Sequence, residues 1–356
     1  MRGCVLRRVL VLGLVFAGLV AGAVQAADEG TAPDDSHNAW LGLIAGPAAA
    51  SETVLAADMA SLFPQGGLGI LPMLGDAGAG NLALLNELKV DLAFVATSVL
   101  ADAAVKDKTL PDRLELVTRL APQEVHVLAR ADIGAVSELS GRQVNFGPPG
   151  SASAVTAAAL FKALALKVEV SSLDATAAIE RLKKGTIAAV VIVGGKPSPV
   201  IGAIPPNAGI HLLPVSFGVP LEAEYLPTRL GPEDYPNLIQ PGGAVATVAT
   251  GLVLLAASSQ GDAQSAGRIA RFVETVFPRF ADLQAQGRHP KWREVNLAAS
   301  LPGFKRNSAA EAWLLGHQQD PKRPMTANAD ASLSMSAEQK EALFERFIEW
   351  QRGNSR

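Results

Sequence analysis

A short turn at residues 147–153 (GPPGSAS) carries residue types that suit the binding of a negatively charged group. It follows the apolar run 144–146 and leads into an alanine-rich segment that is typical of a helix. The backbone N–H groups and the dipole at a helix N-terminus favour an anion. Gly150 lets a ligand approach the backbone closely, and the hydroxyls of Ser151 and Ser153 add hydrogen-bond donors. The turn therefore predicts a ligand site, and the alternative is that Ser151 only caps the helix.

Further candidate binding positions occur where a predicted strand ends in a turn or where a predicted helix begins. For each of them the alternative is a solvated turn that binds nothing, and Asn81 could instead cap its own helix. The candidate ligand-binding residues are Ala49, Ser51, Glu52, Asp76, Gly78, Asn81, Thr97, Ser98, Pro149, Gly150, Ser151, Ser153, Gly194 and Gly195.

Catalytic and metal-binding patterns are missing from the sequence. The five histidines are not spaced as metal ligands, and the zinc-protease, nucleophile-elbow, phosphate-loop and dinucleotide-binding motifs are absent. No base is indicated beside Ser151, and Lys196 fits a solvated loop lysine. We therefore expect no catalytic residue, no metal and no cofactor, and the sequence favours a binding protein over an enzyme.

The composition bounds the fold and excludes one class of partner. The chain has 356 residues, of which 49% are hydrophobic and 5% aromatic, and its formal charge is −3. A chain of this length and apolar content can build more than one core. Because it has neither a basic patch nor an aromatic platform for stacking bases, we expect no binding of nucleic acid.

The N-terminus has the pattern of a secretory signal peptide. Residues 1–8 are basic, residues 9–24 form an apolar run, and small residues at Val24 and Ala26 provide a cleavage site. An uncleaved anchor is the alternative, although the run is shorter than the ~20 residues of a membrane span. The one cysteine, Cys4, precedes the run, so the mature chain would hold no disulfide. We expect residues 1–26 to be removed and the mature protein to be periplasmic.

Strand and helix patterns alternate along the rest of the chain, which predicts an α/β fold with mostly parallel sheets. A strand, helix, strand order appears first near residue 40 and restarts near residue 144. Predicted strands include 40–44, 69–74, 91–97, 114–120, 125–130, 144–146, 168–170 and 187–193, and predicted helices include 51–63, 81–88, 99–105, 151–166, 174–184 and 266–286. Residues 244–258 are predicted as a strand that runs into a helix, residues 320–334 as a linker and residues 336–350 as a C-terminal helix.

The order and spacing of several segments resemble the TAXI family, the extracytoplasmic solute-binding subunits of tripartite TRAP transporters. The segments that carry the resemblance are 76–103, 123–153, 178–201 and 210–215. It implies a bilobal, type II periplasmic-binding-protein-like fold with a ligand cleft between two lobes. Lobe one would comprise residues 27–130 and 240–356, the latter including the C-terminal linker and helix, and lobe two would comprise residues 131–239.

The resemblance also implies a function, namely capture of a small organic acid or amino acid for the membrane permease subunits of a TRAP transporter. Known TAXI ligands include glutamate and related acids. This sequence departs from the family at Glu52 and Thr53, where tyrosines are usual, and at Asp76, where small or hydroxyl residues are usual. Two acids near a cleft would repel a dicarboxylate unless they are neutralised. A neutral or amino-bearing solute is therefore an alternative.

Two other functions remain open at this point. A ligand-sensing receptor module for a membrane signalling partner would bind a solute without moving it. An enzyme on the same scaffold would need a base near Ser151, or a cofactor lysine such as Lys196, in the cleft.

Overall fold

A computed structural model describes residues 40–63, 68–258 and 262–317 of the chain. The predicted signal peptide, the linker at 320–334 and the C-terminal helix at 336–350 lie outside these residues. Within the described ranges, none of the helices combines the length and the apolar character that crossing a bilayer requires.

The described residues form eleven strands that alternate with helices. The strands are β1 (Trp40–Ile44), β2 (Gly69–Met73), β3 (Leu92–Ala96), β4 (Leu114–Arg130), β5 (Gln143–Asn145), β6 (Glu169–Ser171), β7 (Ala189–Gly194), β8 (Ile210–Leu213), β9 (Leu226–Leu230), β10 (Val245–Ala257) and β11 (Lys305–Arg306). The helices are α1 (Ser51–Ala60), α2 (Ala79–Asn86), α3 (Thr97–Lys106), α4 (Leu110–Arg113), α5 (Ala152–Ala163), α6 (Ala175–Lys183), α7 (Pro199–Gly202), α8 (Ala263–Val276), α9 (Phe280–Leu283) and α10 (Ser308–His317). Short 3-10 turns cover Val136–Leu139, Val219–Leu221 and Pro290–Glu294.

All eleven strands belong to one mixed sheet in the order β2–β1–β3–β10–β4–β7–β5–β6, with β8 and β11 also paired to β4 and β9 to β10. β1 pairs in parallel with β2 and β3, and β5 pairs in parallel with β6 and β7. The two long strands β4 and β10 join these parallel groups, because each is antiparallel to the other and to its outer neighbour. The α/β class predicted from the sequence is confirmed.

The long strands differ from their predicted forms. β4 is a single strand of 17 residues rather than two, and Pro122 lies within it opposite Gly251 of β10. A register irregularity follows Gly251, and it accommodates Pro122 within the strand. β10 is strand throughout and does not turn into a helix, because β3 and β4 pair with both of its edges and its apolar side chains are buried.

The long helix predicted at 266–286 is two helices, α8 and α9. Pro278 lies between them. Proline lacks the backbone N–H and its ring collides with the preceding turn, so it interrupts a helix that the apolar periodicity alone would continue.

Buried apolar side chains form three clusters. The first contains residues from 41–121 and 252–310 together with Ala152. The second and third contain residues from 125–248, and neighbouring residues of β7 alternate between them, with Val191 in one and Ile192 in the other. Since successive strand side chains point to opposite faces, these two clusters cover the two faces of the same part of the sheet.

Candidate functional site

A cavity of about 360 Å³ lies beyond the carboxyl ends of β1, β5 and β6 and against the end of β7. Its volume falls within the range of sites for small molecules. The carboxyl ends of parallel strands are the usual place for a ligand in an open α/β sheet. The lining residues are Pro47, Ala48, Ala49, Ala50, Ser51, Glu52, Gly75, Asp76, Asn145, Gly147, Pro148, Ser151, Ala152, Ser153, Asp174, Ala175, Thr176, Val191, Ile192, Val193, Gly194, Ser198 and Val200.

Three helices of eight or more residues begin at this cavity. They are α1, α5 and α6, and the residues at each N-terminus are among those that line it. α5 is capped by the Ser151 side chain and α6 by that of Asp174, whereas α1 has no side-chain cap. The positive ends of three helix dipoles therefore face one small volume, which favours a negatively charged ligand group there.

The two serines of the GPPGSAS turn both line the cavity and both hold backbone N–H groups. Ser151 Oγ accepts a hydrogen bond of 3.2 Å from the N–H of Ala154, which is the N-cap bond. Ser153 Oγ accepts one of 3.0 Å from the N–H of Val193 in β7. Since each oxygen serves as an acceptor, the hydroxyl hydrogen of each serine is left to donate to a ligand. Capping and ligand contact are thus compatible roles for Ser151.

A hydrogen-bond chain crosses the site from the end of β7 to α1. The N–H of Gly195 donates to Ser51 Oγ at 2.7 Å, and the Ser51 hydroxyl donates to Glu52 Oε2 at 3.1 Å. Gly195 stands close to Ser51, since a Cβ added to Gly195 would lie 3.0 Å from Ser51 Oγ. Ser51 therefore acts as both acceptor and donor, and its donated hydrogen bond helps to fix the position of the Glu52 carboxyl.

Glu52 is a buried acid at the cavity wall. The residue is 2% exposed, in the first turn of α1. Burial raises the pKa of its carboxyl to about 7, although hydrogen bonds from its own backbone N–H and from Ser51 oppose the shift. No described lysine, arginine or histidine forms an ion pair with it. Glu52 is therefore poised between its neutral and ionised forms near pH 7.

Asp76 and Asn81 bind backbone groups. Asp76 accepts hydrogen bonds from the N–H groups of Gly78, Gly80 and Asn81, so its carboxylate binds backbone N–H groups at the start of α2. The Asn81 amide donates to the carbonyls of Ala45 and Phe94 at 2.6 and 2.8 Å and is completely buried. Asn81 does not line the cavity, although Asp76 does.

We expect Asn81→Leu to lower the free energy of unfolding by about 2 kcal/mol, because it leaves buried carbonyls without their donors. Urea denaturation measures the change. Asn86→Leu, an exposed position on the same helix, is the control and should stay within about 0.5 kcal/mol of the wild type. Equal stability of the two variants would contradict the structural role of Asn81.

The backbone segments of two turns meet beside the cavity. The N–H of Ala79 donates to the carbonyl of Gly150 at 2.8 Å, and that of Ala152 donates to the carbonyl of Asp76 at 3.1 Å. A Cβ on Gly78 would stand 2.2 Å from the Gly150 oxygen, so only glycine permits this approach. Gly150 also has a positive φ of 81°. The close approach predicted at Gly150 is therefore made by another part of the chain.

The structure brings half of the sequence-predicted residues together at the cavity. Ala49, Ser51, Glu52, Asp76, Ser151, Ser153 and Gly194 line it. Gly78, Asn81, Thr97, Ser98, Pro149, Gly150 and Gly195 do not line it.

The hydroxyls of Thr97 and Ser98 have partners within the protein. Thr97 Oγ1 lies 2.9 Å from Thr250 Oγ1 and accepts the N–H of Gly251, and Ser98 Oγ lies 2.7 Å from Thr156 Oγ1. These contacts tie α3 to β10 and to α5. A binding role for either residue stays a prediction.

Sequence reasoning did not include Asn145 and Asp174–Thr176, which also line the cavity. The end of β6 is followed by an aspartate N-cap, which is the same pattern that predicts a site at the other strand ends. Asn145 was not recognisable from the sequence, because the partners of its side-chain amide, Leu173 and Ser171, are 28 and 26 residues away.

A chain of buried hydrogen bonds connects Ile192 of β7 with Ser198 in the loop that follows it. His126 Nδ1 lies 3.2 Å from the carbonyl of Ile192, which can only accept, so Nδ1 carries the proton. His126 Nε2 then accepts from the Tyr235 hydroxyl at 2.8 Å, and Tyr235 accepts the N–H of Ser198. Burial lowers the pKa of His126 to about 4 and keeps the imidazole neutral.

Several solved structures are similar to this chain at low sequence identity. An ancestral arginine-binding protein bound to arginine is 16% identical, covers 72% of this chain and 97% of its own, and has a TM-score of 0.43. The alkanesulfonate-binding protein SsuA from Xanthomonas axonopodis pv. citri bound to MOPS is 19% identical, with coverages of 71% and 81% and a TM-score of 0.41. A TctC solute binding protein from Polaromonas is 17% identical, with coverages of 71% and 86% and a TM-score of 0.39.

The sequence itself matches a known family over most of the described sheet. The model of the NMT1-like family matches residues 73–263, a span that runs from the end of β2 to the start of α8. This is more than half of the chain, and the protein therefore belongs to the NMT1-like family.

Proposed function

We propose that this protein is an extracytoplasmic solute-binding protein that captures a small organic acid or amino acid. The observation that carries the proposal is the cavity at the strand ends, where three helix N-termini and two serine hydroxyls are available to a ligand. A site of this form binds and orients a small polar molecule.

The proposal extends to a two-lobed molecule that closes around its solute. The division of the buried apolar residues supports it, because the first cluster draws on residues from 41–121 and 252–310 and the other two on residues from 125–248. Strands β4 and β10 are the segments that pass between these groups. The Gly195–Ser51 hydrogen bond and the Ala79–Gly150 hydrogen bond would then be contacts of a closed form.

The proposed partners are the membrane permease subunits of a TRAP-type transporter, reached in the periplasm after cleavage of the signal peptide. The TAXI resemblance of segments 76–103, 123–153, 178–201 and 210–215 supports this part of the proposal. Deletion of the gene should then abolish uptake of the bound solute. Uptake that persists in the deletion strain, with solute binding intact in vitro, would favour the receptor-module alternative.

A thermal-shift screen of the purified protein tests solute binding directly. The panel consists of amino acids, dicarboxylates, keto acids and sugars. A ligand at a hundred times its dissociation constant stabilises the native state by about 2.7 kcal/mol, which moves the midpoint visibly. A shift with one chemical class supports the proposal, and an unchanged midpoint across the whole panel counts against it.

We expect Ser151→Ala combined with Ser153→Ala to weaken binding of the solute found in this screen by about 1–3 kcal/mol, because two hydroxyl donors are lost. Isothermal titration calorimetry measures the change. Ser137→Ala, an exposed serine outside the cavity lining, is the control and should bind as the wild type does. Unchanged affinity in the double variant would remove both serines from the site.

A further inference from the structure

We propose that the solute carries a protonated amine and that the Glu52 carboxylate is its partner, an inference that rests on the proposed solute-binding function. The inference assigns a role to Glu52, at which this sequence departs from the TAXI pattern. It also names the chemical class of the ligand.

The charges around the cavity are the first support. Its described lining includes the acids Glu52, Asp76 and Asp174 and no lysine, arginine or histidine. The Asp76 and Asp174 carboxylates accept hydrogen bonds from backbone N–H groups at the starts of helices, so Glu52 is the acid whose charge would repel a second ligand carboxylate. A positively charged nitrogen is attracted to Glu52, while the three helix N-termini stay available to an anionic group of the same ligand.

Lys196 and Lys291 do not change the charge of the cavity lining, because the ammonium group of each has protein partners. The Lys196 ammonium donates to the carbonyl of Arg229 and to Asp234, and the Lys291 ammonium donates to Glu124 and Glu294.

The position of the Glu52 carboxyl is the second support. Among the described residues other than Glu52 itself, only the Ser51 hydroxyl donates a hydrogen bond to it. An ionised carboxylate can accept about four hydrogen bonds, so this group has acceptor capacity to spare. A buried carboxylate without a cation is costly, and a ligand ammonium that enters the cavity would remove that cost.

Glu52 and Ser153 both lie beside the end of β7. Ser153 Oγ is bonded to the N–H of Val193, and both Glu52 carboxyl oxygens lie 3.8 Å from where a Cβ on Gly194 would stand. Consecutive Cα atoms are 3.80 Å apart, so the two groups flank neighbouring residues of β7. A ligand that lies along the end of β7 can therefore meet both groups.

Matched compounds test the inference by calorimetry on the purified protein. The panel consists of the standard amino acids and aliphatic diamines, and each binder is compared with the same skeleton lacking the nitrogen. We expect loss of the nitrogen to weaken binding at least 100-fold. We also expect Glu52→Gln to weaken binding of the amine at least 10-fold and to bring the two compounds closer in affinity.

Glu87→Gln, an exposed acid outside the cavity lining, is the matched control and should bind as the wild type does. Circular dichroism and thermal unfolding show whether Glu52→Gln is folded. The inference is overturned if the nitrogen-free compound binds as tightly as the amine, or if Glu52→Gln binds the amine as tightly as the wild type does. Either result leaves the solute-binding function standing. If neither the amines nor the nitrogen-free acids bind at millimolar concentration, both proposals fail together.

Discussion

Replacing Lys291 by methionine is expected to lower the free energy of unfolding by about 3–5 kcal/mol, because it leaves a buried carboxylate without its cation. The Lys291 ammonium is 2.6 Å from Glu124 Oε1 and 2.8 Å from Glu294 Oε2. The side chains of Lys291 and Glu124 are 0% and 1% exposed, so water cannot replace the lost partner.

The position of Glu124 explains why loss of the ion pair would destabilise several elements of the fold. Glu124 lies in β4, in register with Gly194 of β7 on one side and Ala249 of β10 on the other. Its second carboxyl oxygen accepts the N–H of Lys196 at 3.1 Å. The ion pair therefore holds the Pro290–Glu294 turn against the junction of three strands and against the loop that follows β7.

Urea denaturation at pH 7.5 measures the change, with Lys183→Met as the matched control. Lys183 pairs with Glu180 at 2.8 Å, but both side chains are partly exposed, so this variant should lose less than about 1 kcal/mol. Glu124→Gln combined with Lys291→Met should recover part of the loss, since no buried charge then remains. A loss at Lys291 no larger than that at Lys183 would contradict the buried ion pair.

Local sequence signals were sufficient for elements that short-range interactions determine. The strand at Trp40–Ile44 and the helix that begins after Ser151 have the predicted places, because an apolar run, a glycine-proline turn and an N-cap all act within a few residues. Single strands formed by 114–130 and by 245–257 were not predictable in this way. Their continuity depends on pairing with each other across more than 100 residues of sequence.

The same distinction applies to the candidate site. The turn at 147–153 was recognisable from its residue types, and the structure places Ser151 and Ser153 on the cavity. The sequence did not show that Glu52 is buried without a cation, because its burial depends on the end of β7, more than 140 residues away. The buried ion pair of Lys291 was not predictable for the same reason, since its partner Glu124 is 167 residues away in sequence.

The pH dependence of the free energy of unfolding should reveal the raised pKa of Glu52 even before a ligand is known. Its pKa is about 7 in the folded state and about 4.5 without burial. Between these values the unfolded chain has lost the proton while the native protein keeps it. The free energy of unfolding therefore falls as the pH rises from 4.5 to 7, by about 3 kcal/mol in all, at 1.36 kcal/mol for each pH unit.

His126 produces the opposite slope in an overlapping range. Its pKa is about 4 in the folded state and about 6.5 without burial, so the native state loses stability as the pH falls from 6.5 to 4. The wild-type profile would therefore be flattened where the two effects meet. Comparing a variant with the wild type at each pH cancels the His126 effect and isolates that of Glu52.

We expect Glu52→Gln to be about 3 kcal/mol more stable than the wild type at pH 8 and nearly equal to it at pH 4.5. Glutamine keeps an acceptor for the Ser51 hydroxyl and removes the buried charge, so the gain appears only where glutamate would ionise. Urea denaturation from pH 4.5 to 8 without solute measures the difference, and Glu87→Gln should differ from the wild type by less than about 0.5 kcal/mol throughout. A difference that is constant with pH would mean that Glu52 ionises at its ordinary value. Its carboxylate would then already be solvated or paired, and a ligand ammonium would have no unpaired charge to meet.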